Sequence, residues 1–285
     1  MNSVIKTILL LGILSVIIIL LGGLFGGTEG IYMAFFFSLI MNGGMFFFSE
    51  KIALSMSKAK PLDKNQYPEI YQMIEVLSKK MKMPMPKLYI TPDQQANAFA
   101  TGRGPGHASV AVTEGILQIL SPEELRAVLA HELAHVKNRD VLVATIAAVL
   151  ASTISFISNM AMFGGFNSND NEDNRGAGVL GIVAAIFVPI AASLIQMAIS
   201  RQREFGADHT GAHTIGSGST LARALLAIHD SARRNPAHVN SAISSLYIGD
   251  PTGGLGGKML QLFSTHPPVE ERVKRLQKIK SFSSN

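Results

Sequence analysis

The chain contains no cysteine. That excludes disulfides, thiolate metal sites and a cysteine nucleophile, and it fits a site facing a reducing compartment. Charge is also scarce. Only 16% of the 285 residues are Asp, Glu, Lys or Arg, and the mean hydropathy is +0.28. Both values point to a membrane protein rather than a soluble globule. No alanine precedes Ala34. The apolar N-terminus therefore lacks the A-x-A-like site of a cleaved signal peptide and reads as an uncleaved anchor. There is no internal repeat. No basic run is interleaved with aromatics, so the net charge of +5 does not indicate nucleic acid.

Four long apolar runs are present: Val4–Leu24, Ile31–Phe48, Val141–Phe163 and Val179–Ile199. Each is long enough to cross a bilayer; for the last two the alternative is buried helices of a soluble core, against which stand their length and lack of charge. Gly22–Gly30 (GGLFGGTEG) is predicted to be a tight turn between the first two, and Asn167–Arg175 (NSNDNEDNR) an acidic loop between the last two. Of the 25 Lys and Arg residues, 24 lie at Lys6, within Ser49–Asp140 or within Ser200–Asn285. The positive-inside rule then puts both termini and both polar segments in the cytoplasm, facing an anionic leaflet. The predicted organisation is a transmembrane hairpin (1–48), a cytosolic catalytic part (49–140), a second transmembrane hairpin (141–199, outside loop 164–178) and a second cytosolic catalytic part (200–285).

Within the polar segments, Pro68–Met81 has the apolar spacing of an amphipathic helix. Lys87–Thr91, Ala96–Thr101 and Ser109–Thr113 are strand candidates, the last two joined by the turn Gly102–Gly106. A small antiparallel sheet is the natural arrangement. Thr220–Arg234 and Ser264–Lys280 read as further helices, the latter after the Gly-rich Gly249–Gly257.

The chemistry centres on Ser121–Asp140, SPEELRAVLAHELAHVKNRD. Ser121 suits an N-cap, Pro122 the first helical position, and Glu124 closes a capping box. Leu125, Val128, Leu129, Leu133 and Val136 follow at helical spacing. On such a helix His131 and His135, at i and i+4, point two imidazoles at one metal ion. Zinc suits them, since it accepts imidazole and carboxylate and keeps one position open for water. Glu132 is placed to take a proton from that water and pass it to a leaving amine. A third protein ligand is needed. Spacing does not choose among His107, His209, His213, His229, His238, His266 and the carboxylates. Glu204 is attractive because it follows the fourth apolar run and so lies near the same membrane surface; as a surface partner of Arg201 or Arg203 it would be idle.

HELAHVKNRD, SRQREFGADHTGA and STHPPVEERV, in this order and with four apolar runs, resemble the membrane-bound M48 zinc metallopeptidases over nearly the whole chain. The resemblance implies a mainly α fold with a small β-sheet, four transmembrane helices and a cytosolic gluzincin-type zinc peptidase domain. It implies one Zn2+ held by His131, His135 and Glu204, with Asp208 behind a ligand histidine. Asn97, Ala98 and Phe99 fall in the family's edge strand beside the cleft, to which a peptide can add. His266 is a candidate donor to the developing oxyanion. The implied substrates are misfolded or damaged membrane proteins, the implied place a bacterial inner membrane under stress, and further partners other membrane quality-control proteins. Two other readings remain open. One is a peptidase trimming a single defined substrate in an enclosed chamber, like the prenyl-protein proteases. The other is a membrane scaffold with an inert metal site.

Overall fold

The computed structural model describes residues 3–142, 201–234, 247–248 and 267–279. The third apolar run beyond Leu142, the fourth apolar run, His238 and His266 lie outside them. In chain order the elements are α1 (Ser3–Met56), β1 (Lys60–Pro61), α2 (Pro68–Met81), β2 (Lys87–Thr91), β3 (Ala98–Gly104), β4 (His107–Thr113), α3 (Glu114–Ile119), α4 (Pro122–Lys137), α5 (Arg201–Ile215), α6 (Gly218–Arg234) and α7 (Val269–Leu276).

α1 is two helices meeting at Gly27, whose φ of 57° and ψ of −144° are cheap only for glycine. A Cβ on Gly23 would come within 3.0 Å of Ile31. Eight residues of straight helix would hold these positions about 12 Å apart, so the chain folds back there. The nine-residue turn predicted for Gly22–Gly30 thus contracts to one non-helical residue. Beyond it, Ile31, Tyr32, Met33, Phe35, Phe36, Phe37, Leu39 and Ile40 are all exposed, while Ala34 and Ser38 form a buried line. Among the described residues, no helix is long and apolar enough to cross a membrane; many side chains of the first apolar run fall outside that set.

The sheet order is β1-β2-β4-β3. β1 and β3 pair antiparallel with their neighbours, but β2 and β4 run parallel, in register from Lys87↔Ser109 to Thr91↔Thr113. The antiparallel sheet expected from sequence is therefore mixed. Residues 92–97 carry the chain past the end of β4, pinned by Gly115 N–H on Asp93 O and Thr113 N–H on Asn97 O. The β3–β4 hairpin thus docks with β4 innermost. Alternating apolar residues specify which face is buried but not which strand is the neighbour.

The two faces of the sheet meet different partners. Ala98, Ala100, Val110 and Val112 join the main core with α2, α4 and α6. Phe99 and Ala111 point the other way and pack with Ala53 and Leu54 at the end of α1. β3 is the edge strand, and among the described residues it has no second strand beside it.

Candidate active site

α4 forms where its sequence signals put it. Ser121 Oγ accepts from Glu124 N–H and Glu124 Oε2 accepts from Ser121 N–H, completing the capping box, with Pro122 opening the helix. α5 crosses α4 at Gly211, where a Cβ would lie 3.0 Å from His131 N. A side chain there would press on the α4 backbone, so glycine suits that approach. It brings Glu204 and Asp208, two turns and one turn earlier on α5, onto His131 and His135.

His131, His135 and Glu204 converge. The two Nε2 atoms are 3.2 Å apart, His135 Nε2 is 3.3 Å from Glu204 Oε1, and His131 Nε2 is 3.7 Å from Glu204 Oε2. Around a tetrahedral zinc with ligands at about 2.0–2.1 Å, neighbouring ligand atoms sit about 3.3–3.4 Å apart. The three donors are thus close to the spacing that a zinc ion requires. Among the described residues, none of His107, His209, His213 and His229 joins the cluster.

Each ligand histidine has a carboxylate behind it. Asp208 Oδ1 is 3.0 Å from His131 Nδ1, a close approach whose angle falls short of a well-aligned hydrogen bond. Asp140 Oδ2 is 3.4 Å from His135 Nδ1. Such partners fix the tautomer and ring orientation of a metal-binding histidine. Asp208 is in turn clamped by Arg272 of α7, which is 1% exposed. Arg272 Nε donates to Asp208 Oδ2 at 2.9 Å and Nη2 to Oδ1 at 2.7 Å. Its Nη1 donates to Ile248 O at 3.0 Å and lies 3.7 Å from Glu204 Oε2.

The electrostatics follow from burial and from these neighbours. Burial pushes His131 down to about 4, against the pull of Asp208. Burial opposes charge on His135 too, but Glu204 and Asp140 outweigh it and push the group up to about 10. Burial opposes ionisation of Asp208, yet the Arg272 guanidinium holds it well below the usual carboxylate range. Burial raises Glu132 to about 7, aided by the Glu204 charge and opposed by His135, Arg272 and an N–H donated by Ala100 of β3. A carboxylate there is suited to exchanging protons near neutrality.

The remaining sequence candidates are placed as follows. Asn97 is committed internally. Its N–H donates to Thr113 Oγ1, its C=O accepts from Thr113, and its Oδ1 accepts from Ile248 N–H. Ala98 lies on the core face of β3 and Phe99 on the α1 face. Arg203, the alternative surface partner for Glu204, is half-buried. Its Nη1 is buried, and burial lowers its pKa against the attraction of Asp140 and Glu204. Sequence reasoning missed Arg272 and Asp140. Arg272 did carry a signal, for it sits in the apolar stripe Val269, Val273, Leu276 of an otherwise charged helix.

The model of peptidase family M48 matches residues 64–280. The chain belongs to peptidase family M48. It is accordingly a metallopeptidase. It is 48% identical over 279 residues to a protease HtpX homolog of Pelotomaculum thermopropionicum, covering 97% of this chain and 98% of that one. To the HtpX homolog of Aquifex aeolicus it is 50% identical over 262 residues, covering 90% and 86%. Its resemblance to HtpX-type proteases thus extends over nearly the whole chain. Among solved structures it resembles Ste24p of S. mikatae, with a TM-score of 0.52 at 19% identity. That match covers 96% of this chain and 65% of the other, and it concerns the fold alone.

Proposed function

We propose that the chain is a zinc-dependent integral-membrane endopeptidase that cuts misfolded or damaged membrane proteins at a cytosol-facing site of a bacterial inner membrane. The observation that carries the catalytic part is the convergence of His131, His135 and Glu204 at 3.2–3.7 Å with the Glu132 carboxylate on the same turn of α4. A purely structural metal site has no need of Glu132. When bound, zinc supplies a Lewis acid that polarises the scissile carbonyl and acidifies the attacking water. His131, His135 and Glu204 hold the ion; Asp208 and Asp140 hold the two imidazoles in orientation. Glu132 takes a proton from water and delivers it to the leaving amine. The outer edge of β3 offers main-chain groups to an extended peptide.

The membrane reading is supported by α1. Its exposed apolar residues 31–33, 35–37 and 39–40 face nearly every direction around the helix. A single protein partner covers one face; an apolar solvent covers all of them. With the charge distribution this favours four spans with both termini inside.

The test is digestion of casein by detergent-purified protein. Loss of cleavage on chelation and its return with added zinc is the expected result. Chelator-resistant cleavage would contradict the proposal. For topology, a cysteine placed in the 167–175 loop should react with an impermeant thiol reagent on intact cells, and one at position 254 should not.

A further inference from the structure

The end of α1 and strand β3 touch along their lengths in a fixed order. At one end, the Arg103 guanidinium stacks over Phe46 and Phe47, 5.6 and 5.3 Å from the ring centroids. Further along, Glu50 Oε1 accepts from Ser109 Oγ at 2.7 Å, and Ser109 is the register partner of Thr101. At the far end, Phe99 packs with Ala53 and Leu54. As α1 advances from residue 46 to 54, β3 runs back from 103 to 99. The distances agree: about 11 Å of helix from 46–47 to 53–54, at 1.5 Å per residue, against about 13 Å of strand. β3 therefore lies alongside α1, antiparallel to it, with its Arg103 end beside Phe46 and Phe47.

Phe47 and Phe48 are exposed, and the next residues are buried Ser49, Glu50 and exposed Lys51. The apolar surface of α1 ends at the level of Arg103. Only residues 57–59 connect that helix to the first strand of the sheet. On β3, Ala100 donates its N–H to Glu132. Ala100 and Arg103 are three residues apart, about 10 Å of strand.

We propose that this docking sets the height of the catalytic centre at about 10 Å, or three extended residues, above the bilayer surface. The substrates it fits are then extended segments that emerge directly from the membrane, the juxtamembrane stretches of other membrane proteins. A peptide paired with the outer edge of β3 stands along the membrane normal with one end at the lipid surface. Chain continuing from that end passes into the bilayer without bending. A segment far from any membrane anchor must instead reverse direction in the gap between site and lipid. The inference rests on the proposed membrane embedding and on strand addition to β3.

The experiment uses the full chain in vesicles of phosphatidylethanolamine and phosphatidylglycerol. Single-span substrates carry one cleavable extended segment in an otherwise Gly-Ser cytosolic stub. The segment starts about 3 or about 30 residues from the span, and products are mapped by mass spectrometry. The near segment should be cut about tenfold faster or more, as effective concentration falls with tether length. Equal rates for both substrates, with cleavage abolished by E132Q, would overturn the fixed height while leaving the peptidase reading intact. Absence of any Glu132-dependent cleavage in either substrate would overturn the reading on which the inference rests.

Discussion

Arg272 carries the least expected burden in the site, and its removal is the most informative perturbation of the scaffold behind the ligands. The guanidinium is 1% exposed and makes two hydrogen bonds, at 2.9 and 2.7 Å, to an Asp208 that is itself 3% exposed. Arg272→Met leaves an apolar chain of similar length and strands the Asp208 charge in the core. Removing one partner of a buried ion pair costs about 3–5 kcal/mol. Asp208 then takes up a proton at higher pH than before, because burial disfavours its charge and only His131 remains to offset it. A protonated Asp208 is an uncharged and weaker acceptor for the His131 ring. Loss of such a partner weakens metal binding about 10–100-fold, and the deficit should grow as pH falls. Zinc competition against a chromophoric chelator, with thermal unfolding of the metal-free protein, reads both effects. The double variant Arg272→Met with Asp208→Asn removes both charges and should be much less destabilised than the sum of the two single changes. Parental zinc affinity and stability in Arg272→Met would refute the reasoning.

Two further outcomes are expected. Glu204→Gln should lower zinc affinity and turnover together; full zinc retention with near-normal turnover would remove Glu204 from the ligand set. Arg203 is no innocent control for it, given its buried Nη1 and the attraction of Asp140 and Glu204, and an exposed charge such as Lys274 serves better. Zinc uptake by the metal-free protein should release protons. His135 is pushed up to about 10 and so is protonated at neutral pH, and the ion must displace that proton. The sign is fixed: affinity rises with pH, roughly tenfold per unit between about 7 and 9. Calorimetry in buffers of different ionisation enthalpy would show it, and a pH-independent affinity would contradict it.

The parts legible in the sequence were those set by local rules. Pro68–Met81 and Lys87–Thr91 are helix and strand with the predicted bounds. The capping box at Ser121 fixes the phase of α4, and with it the shared face of His131 and His135. What was not legible depends on tertiary approach. The neighbour of β2 is decided by the path of residues 92–97 across the end of β4, which no periodicity encodes. Glu204 could be proposed from the chain but not selected over the histidines by spacing. Its choice follows from the crossing at Gly211, a contact between residues far apart in sequence. Asp140 was hidden for a similar reason. It lies beyond the end of α4, after Arg139 takes a left-handed conformation with φ of 60°, and returns to His135 only through that turn. Arg272 looked like one charge among several on α7, although its place in the apolar stripe marked it for burial.

The central claim is that Glu132 moves the proton while His131, His135 and Glu204 hold the metal. The most direct measurement is zinc content and peptide hydrolysis of Glu132→Gln side by side. Glutamine keeps the shape of the side chain and removes its basicity. One zinc per chain with no hydrolysis is the predicted pair of results. Hydrolysis by that variant at near the parental rate would contradict the account.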